Sequence, residues 1–358
     1  MAAIKMIVIT GGAGFVGSGL ALRFKRDRPS VKIIAIDNLY RRGSELAIAR
    51  LKNAGIEFMH GDVRCREDLS HIEHFDLMIE CSAEPSVKAG YGNDPSYLIN
   101  TNLLGSINCI EAVRKAKASI VFLSTSRVYS IPKLQALPLA IENKRFIAQI
   151  GEPIRGFSEK GVSEAFSVEA PRSLYGATKL ASEVVYQEYA SMYDLNVIVN
   201  RCGVIAGPWQ MGKEDQGFIA LWLARHLFQG ALKYKGFGGK GHQVRDVLHI
   251  EDLYSLLTIQ LENPLQHRGK TYNVGGGLAN STSLAELSDL CSAVTNTELP
   301  IGSDLECHAS DIPYYVTDHS EVTERTGWKP QKSLPQLLEE TRDWLHSHRS
   351  ILEPIVGK

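Results

Sequence analysis

Short, continuously apolar runs alternate with amphipathic stretches along the first two-thirds of the chain. Runs of this kind predict strands that are buried on both faces, as in a parallel sheet covered by helices. We predict such strands at Met6–Thr10, Val31–Asp37, Glu57–His60, Leu77–Cys81, Ile120–Ser124 and Val197–Asn200. The amphipathic stretches predict helices at about Phe15–Lys25 and Asn102–Lys115. This alternation indicates an α/β fold, a Rossmann-type doubly wound parallel sheet.

The last third of the chain has a different character, with more Gly, Pro and irregular segments. Val247–Ile250 and Thr271–Val274 still predict strands. Leu334–His346 predicts a helix whose apolar face contains Leu337, Leu338, Thr341 and Leu345. We therefore expect a smaller C-terminal domain that is interleaved in sequence with the first. The predicted first domain covers residues 1–200 with return segments at about 245–276, and the second covers 201–244 and 277–358.

Composition and charge narrow the class of protein. The net charge is −1 and there is no basic stripe with interleaved aromatic residues, so we expect no nucleic-acid partner. The six cysteines are scattered without a Cys-x-x-Cys pair, which predicts reduced thiols. The closely spaced histidines lack a second ligand cluster, so we expect no metal site. Apolar runs are too short for a signal peptide or a membrane span, and we expect a soluble, cytoplasmic protein.

A glycine-rich turn follows the first predicted strand and opens the first predicted helix. Gly11, Gly14 and Gly17 have the spacing of a dinucleotide-binding turn. Glycine lets the backbone approach a pyrophosphate, and the helix N-terminus presents N–H groups to the phosphates. The residues predicted to bind the cofactor here are Gly11, Gly14, Phe15, Val16 and Gly17.

Acidic residues at the ends of the next two strands predict the adenosine side of the same site. Asp37 lies about twenty residues beyond the turn, where a carboxylate accepts the ribose hydroxyls and repels a 2′-phosphate. This favours NAD over NADP, although Arg41 and Arg42 leave NADP open. Asn38 adjoins this carboxylate, and Asp62 with Val63 is predicted to meet the adenine.

Tyr175 and Lys179 form a Tyr-x-x-x-Lys pair at the start of a predicted helix. A spacing of four residues puts both side chains on one helix face. A neighbouring ammonium lowers the pKa of a tyrosine, so the phenolate can take a proton from a hydroxyl near neutral pH. Thr125 follows a buried strand, at the sheet edge where α/β proteins bind ligands, and is predicted to hydrogen-bond the reacting hydroxyl.

With these motifs, the sequence resembles the extended short-chain dehydrogenase/reductases, also called the NAD-dependent epimerase/dehydratase family, over nearly its whole length. The resemblance implies an enzyme that uses NAD, acts on a nucleotide-diphosphate sugar and forms a homodimer or homotetramer. It implies catalytic roles for Thr125, Tyr175 and Lys179, and a supporting role on the cofactor side for Asn102. The substrate-binding residues assigned on this basis are Glu84, Arg127, Gln216, Gln243 and Arg245, with Arg245 on the diphosphate.

One departure from the family's dehydratases narrows the expected reaction. Those enzymes carry Asp-Glu after the catalytic threonine, whereas this chain has Ser126-Arg127. The resemblance therefore implies epimerisation through a transient keto-sugar, with hydride passing to NAD and back, and it is strongest to epimerases that invert C2 of a CDP-linked sugar. UDP-sugar 4-epimerisation, dehydration and decarboxylation stay open. So does a catalytically silent, NAD-binding regulatory protein.

Overall fold

The computed structural model describes residues 4–213 and 216–356. Its strands, in chain order, are β1 (Met6–Thr10), β2 (Lys32–Asp37), β3 (Glu57–His60), β4 (Leu77–Glu80), β5 (Ser119–Thr125), β6 (Leu139–Glu142), β7 (Arg145–Ala148), β8 (Phe157–Ser158), β9 (Gly161–Val162), β10 (Val197–Cys202), β11 (Val204–Ala206), β12 (Leu232–Lys235), β13 (Val244–His249), β14 (Lys270–Val274), β15 (Ser281–Ser283), β16 (Ile301–Asp304) and β17 (Tyr314–Tyr315).

The α-helices are α1 (Phe15–Asp27), α2 (Leu46–Asn53), α3 (Arg66–Ser70), α4 (Ser96–Ile99), α5 (Gly105–Ala116), α6 (Ile131–Gln135), α7 (Leu174–Met192), α8 (Phe218–Phe228), α9 (Ile250–Glu262), α10 (Leu284–Thr295), α11 (Ser320–Thr326), α12 (Leu334–Ser347) and α13 (Arg349–Val356). Across residues 4–213 and 216–356, no helix combines the length and the apolar character that crossing a membrane requires.

The first of two compact units contains the chain up to Val128, Ser173–Arg201 and Tyr254–Tyr272. Its seven-stranded sheet has the order β14-β10-β5-β4-β1-β2-β3. Strand β1 pairs in parallel with both β2 and β4, so the strand order reverses on either side of β1. In a doubly wound sheet, ligands bind at this reversal, outside the carboxyl ends of the strands. The predicted Rossmann-type doubly wound parallel sheet is confirmed.

The apolar runs form strands because they are buried. All seven residues of β5 are buried, as are the last four of β1. The side chains of β5 and β10 pack with helices α5 and α7 into one apolar core, which includes Ile110, Val113, Phe122, Tyr186 and Val197. The six predicted strands are confirmed, with shifts of one or two residues at their ends.

The predicted helix at Asn102–Lys115 needs a correction at its beginning. Residues Asn100–Leu104 form a π-helical turn, and the regular helix α5 begins only at Gly105. The amphipathic pattern does not distinguish a π-helical turn from an α-helix. It shows which helix face is apolar, but it does not show which carbonyl group accepts each backbone N–H. A π-turn of this kind is often found at functional sites.

The second unit contains Tyr129–Arg172, Cys202–Leu253 and the chain from Asn273 onward. Strand β13 is central to it and pairs with β11, β15 and β17. This pairing assigns β13 to the second unit, and Tyr254–Tyr272 returns to the first unit. The predicted face of α12 is confirmed, since Leu337, Leu338, Thr341 and Leu345 are all buried.

Candidate active site

The glycine turn between β1 and α1 has no room for side chains. Gly11 has a φ of +62°, and a Cβ there would lie 2.8 Å from the Cys81 carbonyl. A Cβ on Gly17 would lie 2.2 Å from the carbonyl oxygen of Gly11. Helix α1 begins after Gly14, which provides no side-chain cap. The turn thus brings bare backbone and a helix N-terminus together at the reversal in strand order.

Asp37, at the end of β2, is tied to this turn. Its Oδ2 accepts the backbone N–H of Ala13 at 3.0 Å, and its Oδ1 accepts that of Leu39 at 2.8 Å. Burial raises the pKa of the Asp37 carboxyl, and the hydrogen bonds from backbone N–H groups oppose that rise. The carboxylate thus lies beside the glycine turn, and a carboxylate in this position accepts the hydroxyl groups of a ribose.

The Asp62 carboxylate accepts hydrogen bonds from two neighbouring side chains. Asn38 Nδ2 donates to its Oδ2 at 2.9 Å, and Arg64 Nη2 donates to the same oxygen at 2.6 Å. Although burial raises the pKa of Asp62, the hydrogen bonds from Arg64 and Asn38 outweigh it and lower the pKa to about 2. The Arg64 guanidinium lies 4.7 Å from the centroid of the Tyr97 ring. The neighbouring Val63 packs in the first unit's core.

The three predicted catalytic residues all belong to the first unit. Thr125 ends β5, and its Oγ1 accepts the backbone N–H of Arg127 at 3.2 Å, so its hydroxyl hydrogen remains to be donated. Ser173 caps α7 by accepting the N–H of Gly176 at 3.3 Å, which places Tyr175 in the first turn. Lys179 is buried one turn further along, with its Nζ 3.9 Å from the centroid of the Phe122 ring.

Asn102 lies in the π-helical turn and is fully buried. Its Oδ1 accepts the backbone N–H of Glu84 at 2.7 Å, and its Nδ2 donates to the Glu84 carbonyl at 3.0 Å. Ser182 of α7 donates to the Asn102 carbonyl at 3.1 Å. Asn102 therefore fixes the loop after β4. The Glu84 carboxylate accepts the N–H of Ser86 at 3.1 Å within that loop.

Of the predicted substrate residues of the second unit, Arg245 lies on β13, Gln243 directly precedes that strand, and Gln216 lies just before α8. Arg245 donates from Nη1 to the Val244 carbonyl and from Nη2 to the Ile312 carbonyl, each at 2.7 Å. Gln243 Nε2 donates to the Lys235 carbonyl at 3.1 Å. Gln216 exchanges backbone hydrogen bonds with Lys213, at 2.6 and 3.1 Å. Asp215, the residue before Gln216, lies outside the described residues.

Sequence reasoning missed a buried ion pair behind the catalytic residues. Glu183 accepts from Arg201 Nη2 at 2.7 Å and from Ser124 Oγ at 2.5 Å. Both charged side chains are almost completely buried. The sequence contained a sign of this residue's position, because Glu183 follows Lys179 by four residues. That spacing puts both side chains on the same face of α7.

The chain belongs to the NAD dependent epimerase/dehydratase family, whose model matches residues 7–275. Members of this family are NAD-dependent enzymes, so the expected NAD cofactor and enzymatic nature are confirmed. A CDP-paratose 2-epimerase from Salmonella typhi is 30% identical over 350 residues, which cover 95% of this chain and 99% of the relative. A dTDP-glucose 4,6-dehydratase from Escherichia coli K12 is 26% identical over 96% of this chain and 93% of the relative.

Solved structures support the fold. A UDP-glucuronic acid 4-epimerase from Bacillus cereus, in complex with UDP-glucuronic acid and NAD, superposes with a TM-score of 0.78 at 21% identity, covering 96% of this chain and 99% of the other. A dTDP-glucose 4,6-dehydratase from Bacillus anthracis, in complex with NAD, superposes with a TM-score of 0.77 at 24% identity, covering 98% and 99%.

The first unit fits such a dinucleotide on its own geometry. Side chains at Gly11 or Gly17 would clash with backbone, so the glycine turn keeps its backbone accessible to a pyrophosphate. Helix α1 has no side-chain cap that would compete with a phosphate for its first N–H groups. Asp37 ends the second strand and carries the carboxylate for an adenosine ribose.

Proposed function

We propose that this chain is an NAD-dependent nucleotide-sugar epimerase that inverts C2 of a CDP-linked sugar. The observation that carries the proposal is the combination of Thr125, Tyr175 and Lys179 with Ser126-Arg127. This set can move a hydroxyl proton, but it lacks the acidic pair that eliminates water in the family's dehydratases. The likeness to CDP-paratose 2-epimerase over nearly the whole chain supports two parts of the proposal, cytosine as the base of the nucleotide and C2 as the carbon that is inverted.

The chemistry divides between the cofactor and the chain. Bound NAD supplies a reversible hydride acceptor. We propose that Tyr175, as the phenolate, takes the proton of the reacting hydroxyl and later returns it. The Lys179 ammonium stabilises that phenolate from one turn along α7. Thr125 donates its hydroxyl hydrogen to the sugar oxygen and holds it in position.

The cofactor and substrate residues follow from the same proposal. The NAD pyrophosphate would be held at Gly11–Gly17, including Phe15 and Val16, and the adenosine half by Asp37, Asn38, Asp62 and Val63. Asn102 supports this side through the Glu84 loop. Arg245 binds the diphosphate, because a guanidinium matches two phosphate oxygens at once. Glu84, Arg127, Gln216 and Gln243 contact the remainder of the nucleotide-sugar.

We further propose a homodimer formed through α5 and α7. Two apolar side chains on one face of α7 are exposed, Val184 by 53% and Met192 by 67%. Leu104, next to the start of α5, is 43% exposed. Light scattering should give the mass of two chains for the wild type and of one chain for Val184→Glu. A wild-type mass of one chain would contradict the dimer.

A cytoplasmic location completes the proposal. All six cysteines are free thiols, and three of them are buried. Free thiols are the usual state in a reducing compartment. Cell fractionation should recover the protein with cytoplasmic markers.

The test of the reaction is a panel of CDP-, UDP-, GDP- and dTDP-sugars, each incubated with purified protein and NAD. Proton NMR and mass spectrometry should find a CDP-sugar product of unchanged mass with C2 inverted. Inversion at C4 of a UDP-sugar would replace the proposal with 4-epimerisation. A product lighter by water or carbon dioxide would identify a dehydratase or a decarboxylase. Bound NAD without turnover of any sugar would favour a regulatory protein.

A further inference from the structure

A carboxyl group lies in the core directly behind the Tyr-x-x-x-Lys motif. Glu80 ends the otherwise apolar strand β4 and is 1% exposed. Its register partners are Thr10 on β1 and Phe122 on β5. A buried carboxylate is costly unless hydrogen bonds and an opposite charge compensate it, so its partners reveal its role.

Both oxygens of Glu80 have neutral hydrogen-bond donors from the covering helices. Ser106 of α5 donates from Oγ to Oε1 at 2.5 Å. The Tyr186 hydroxyl of α7 donates to Oε2. Tyr186 is itself fully buried. Hydrogen bonds to the charged form of a carboxyl favour that form, but two neutral donors do not balance its charge.

The balancing charge comes from Lys179. Its Nζ lies over the ring of Phe122, the register partner of Glu80, and the ring of Tyr186 lies 4.7 Å from that of Phe122. Glu80, Phe122, Lys179 and Tyr186 therefore form one cluster. Burial raises the pKa of the Glu80 carboxyl, and attraction to the Lys179 ammonium is the largest effect opposing that rise.

The other titratable groups around the cluster do not replace Lys179 as the positive charge that acts on Glu80. Cys109 of α5 faces both charges, and burial together with Glu80 raises the pKa of its thiol well above the usual value, so it stays neutral. Burial likewise raises the pKa of Tyr186, which stays protonated. Glu183, which lies on the same face of α7 as Lys179, forms an ion pair with Arg201.

We propose that Glu80 is a positioning residue that holds the Lys179 ammonium in the core and, through it, sets the pH at which Tyr175 ionises. The inference rests on the proposed roles of Tyr175 and Lys179. A carboxylate beside Lys179 stabilises the ammonium and partly cancels its attraction for the Tyr175 phenolate. Tyr175 is thereby kept from ionising at too low a pH, while Lys179 keeps its proton to higher pH.

The sign of the effect follows directly. In Glu80→Gln the amide oxygen still accepts a hydrogen bond, but the negative charge is gone. The Lys179 charge then acts undiminished on Tyr175, so Tyr175 should ionise about one pH unit lower. Lys179 loses its stabilising anion, so it should also deprotonate at lower pH. Both limbs of a pH–rate profile therefore move towards acid.

The experiment titrates Tyr175 in the NAD-bound protein without any sugar. The tyrosinate absorbance of the Tyr175→Phe variant is subtracted from that of the wild type, which isolates Tyr175 from the other tyrosines. The same difference is taken between Glu80→Gln and the double variant with Tyr175→Phe. A shift of about one pH unit towards acid is expected. An unchanged midpoint would overturn the inference and leave Glu80 a merely hydrogen-bonded core residue.

Tyr186→Phe is the second variant, in case Glu80→Gln does not fold. It removes the donor to Oε2 and keeps the carboxyl, so Glu80 binds its proton more readily and the Tyr175 midpoint should move in the same direction by less. A midpoint that does not move, or moves towards base, would count against the inference. The titration uses no sugar. A nucleotide-sugar panel without any turnover would therefore contradict the proposed function but would leave the measured Tyr175 midpoints unchanged.

Discussion

The two units carry their candidate functional residues in different ways. In the first, Asp37 and Thr125 end strands β2 and β5 of one parallel sheet, and Tyr175 and Lys179 share one helix face. In the second, Arg245 is held by carbonyl groups, one of them from Ile312, far along the chain. In the first unit, strand ends and the spacing of residues along one helix determine where the functional side chains lie. The second depends on tertiary pairing of short strands, which is the kind of arrangement that varies with the substrate.

This difference suggests a division of labour. Residues of the first unit should determine whether the reaction occurs and whether NAD binds. Residues of the second unit, together with Glu84 and Arg127 of the first, should determine which nucleotide-sugar binds and how tightly. The predictions below test that division, beginning with the largest expected effect.

Tyr175→Phe should lower kcat by about 10³-fold, because it removes the hydroxyl that takes and returns the proton. NAD affinity and melting temperature should stay close to those of the wild type. Steady-state kinetics and NAD titration check this. Tyr193→Phe, an exposed tyrosine just beyond the same helix, is the matched control and should be fully active. Full activity of Tyr175→Phe would end the claim that the first unit carries the chemistry.

Gly17→Ala should weaken NAD binding by about 100-fold, since its Cβ would lie 2.2 Å from the Gly11 carbonyl oxygen and force the turn to move. Isothermal titration with NAD measures the change. Gly151→Ala is the control, because no atom lies within 4 Å of a Cβ built there. Equal NAD affinity in the two variants would show that the turn does not bind the cofactor.

Arg245→Lys should raise KM for the nucleotide-sugar by about tenfold with little change in kcat, because a lysine loses the two-pronged contact with phosphate. NAD affinity should not change. Initial-rate kinetics over a range of sugar concentrations separate the two constants. A loss confined to kcat would contradict the assignment of recognition to the second unit.

Replacing Asp62 should have the smallest effect. It should remove a pH-dependent contribution to the free energy of unfolding. Its pKa falls from an ordinary value near 3.9 in the unfolded chain to about 2 in the fold. A lowered pKa contributes stability that is present above pH 4 and is lost as the pH falls towards 2. Solvent screening limits the contribution to about 1 kcal/mol. Urea unfolding at pH 6 and pH 3 should show Asp62→Asn losing less stability than the wild type on acidification.

Regular periodicity explains what the sequence alone could predict. The apolar strands, the glycine turn, Asp37 and the Tyr-x-x-x-Lys spacing each depend on residues close together in sequence, and all appear where expected. The hairpin of β6 and β7 was not predicted, because its strands are short and mixed in polarity. The Ser106 and Tyr186 partners of Glu80 and the Ile312 partner of Arg245 were also beyond prediction, since they are distant in sequence from the residues that they contact.

The most direct test of the central claim uses a CDP-sugar with deuterium at C2. Epimerisation by removal and return of hydride at one carbon predicts that the inverted product, made in ordinary water, retains its deuterium at C2. Tyr175→Phe should form almost none of this product. Inversion with loss of the deuterium to solvent would contradict the account, because it would mean that a proton, and not a hydride, leaves the carbon.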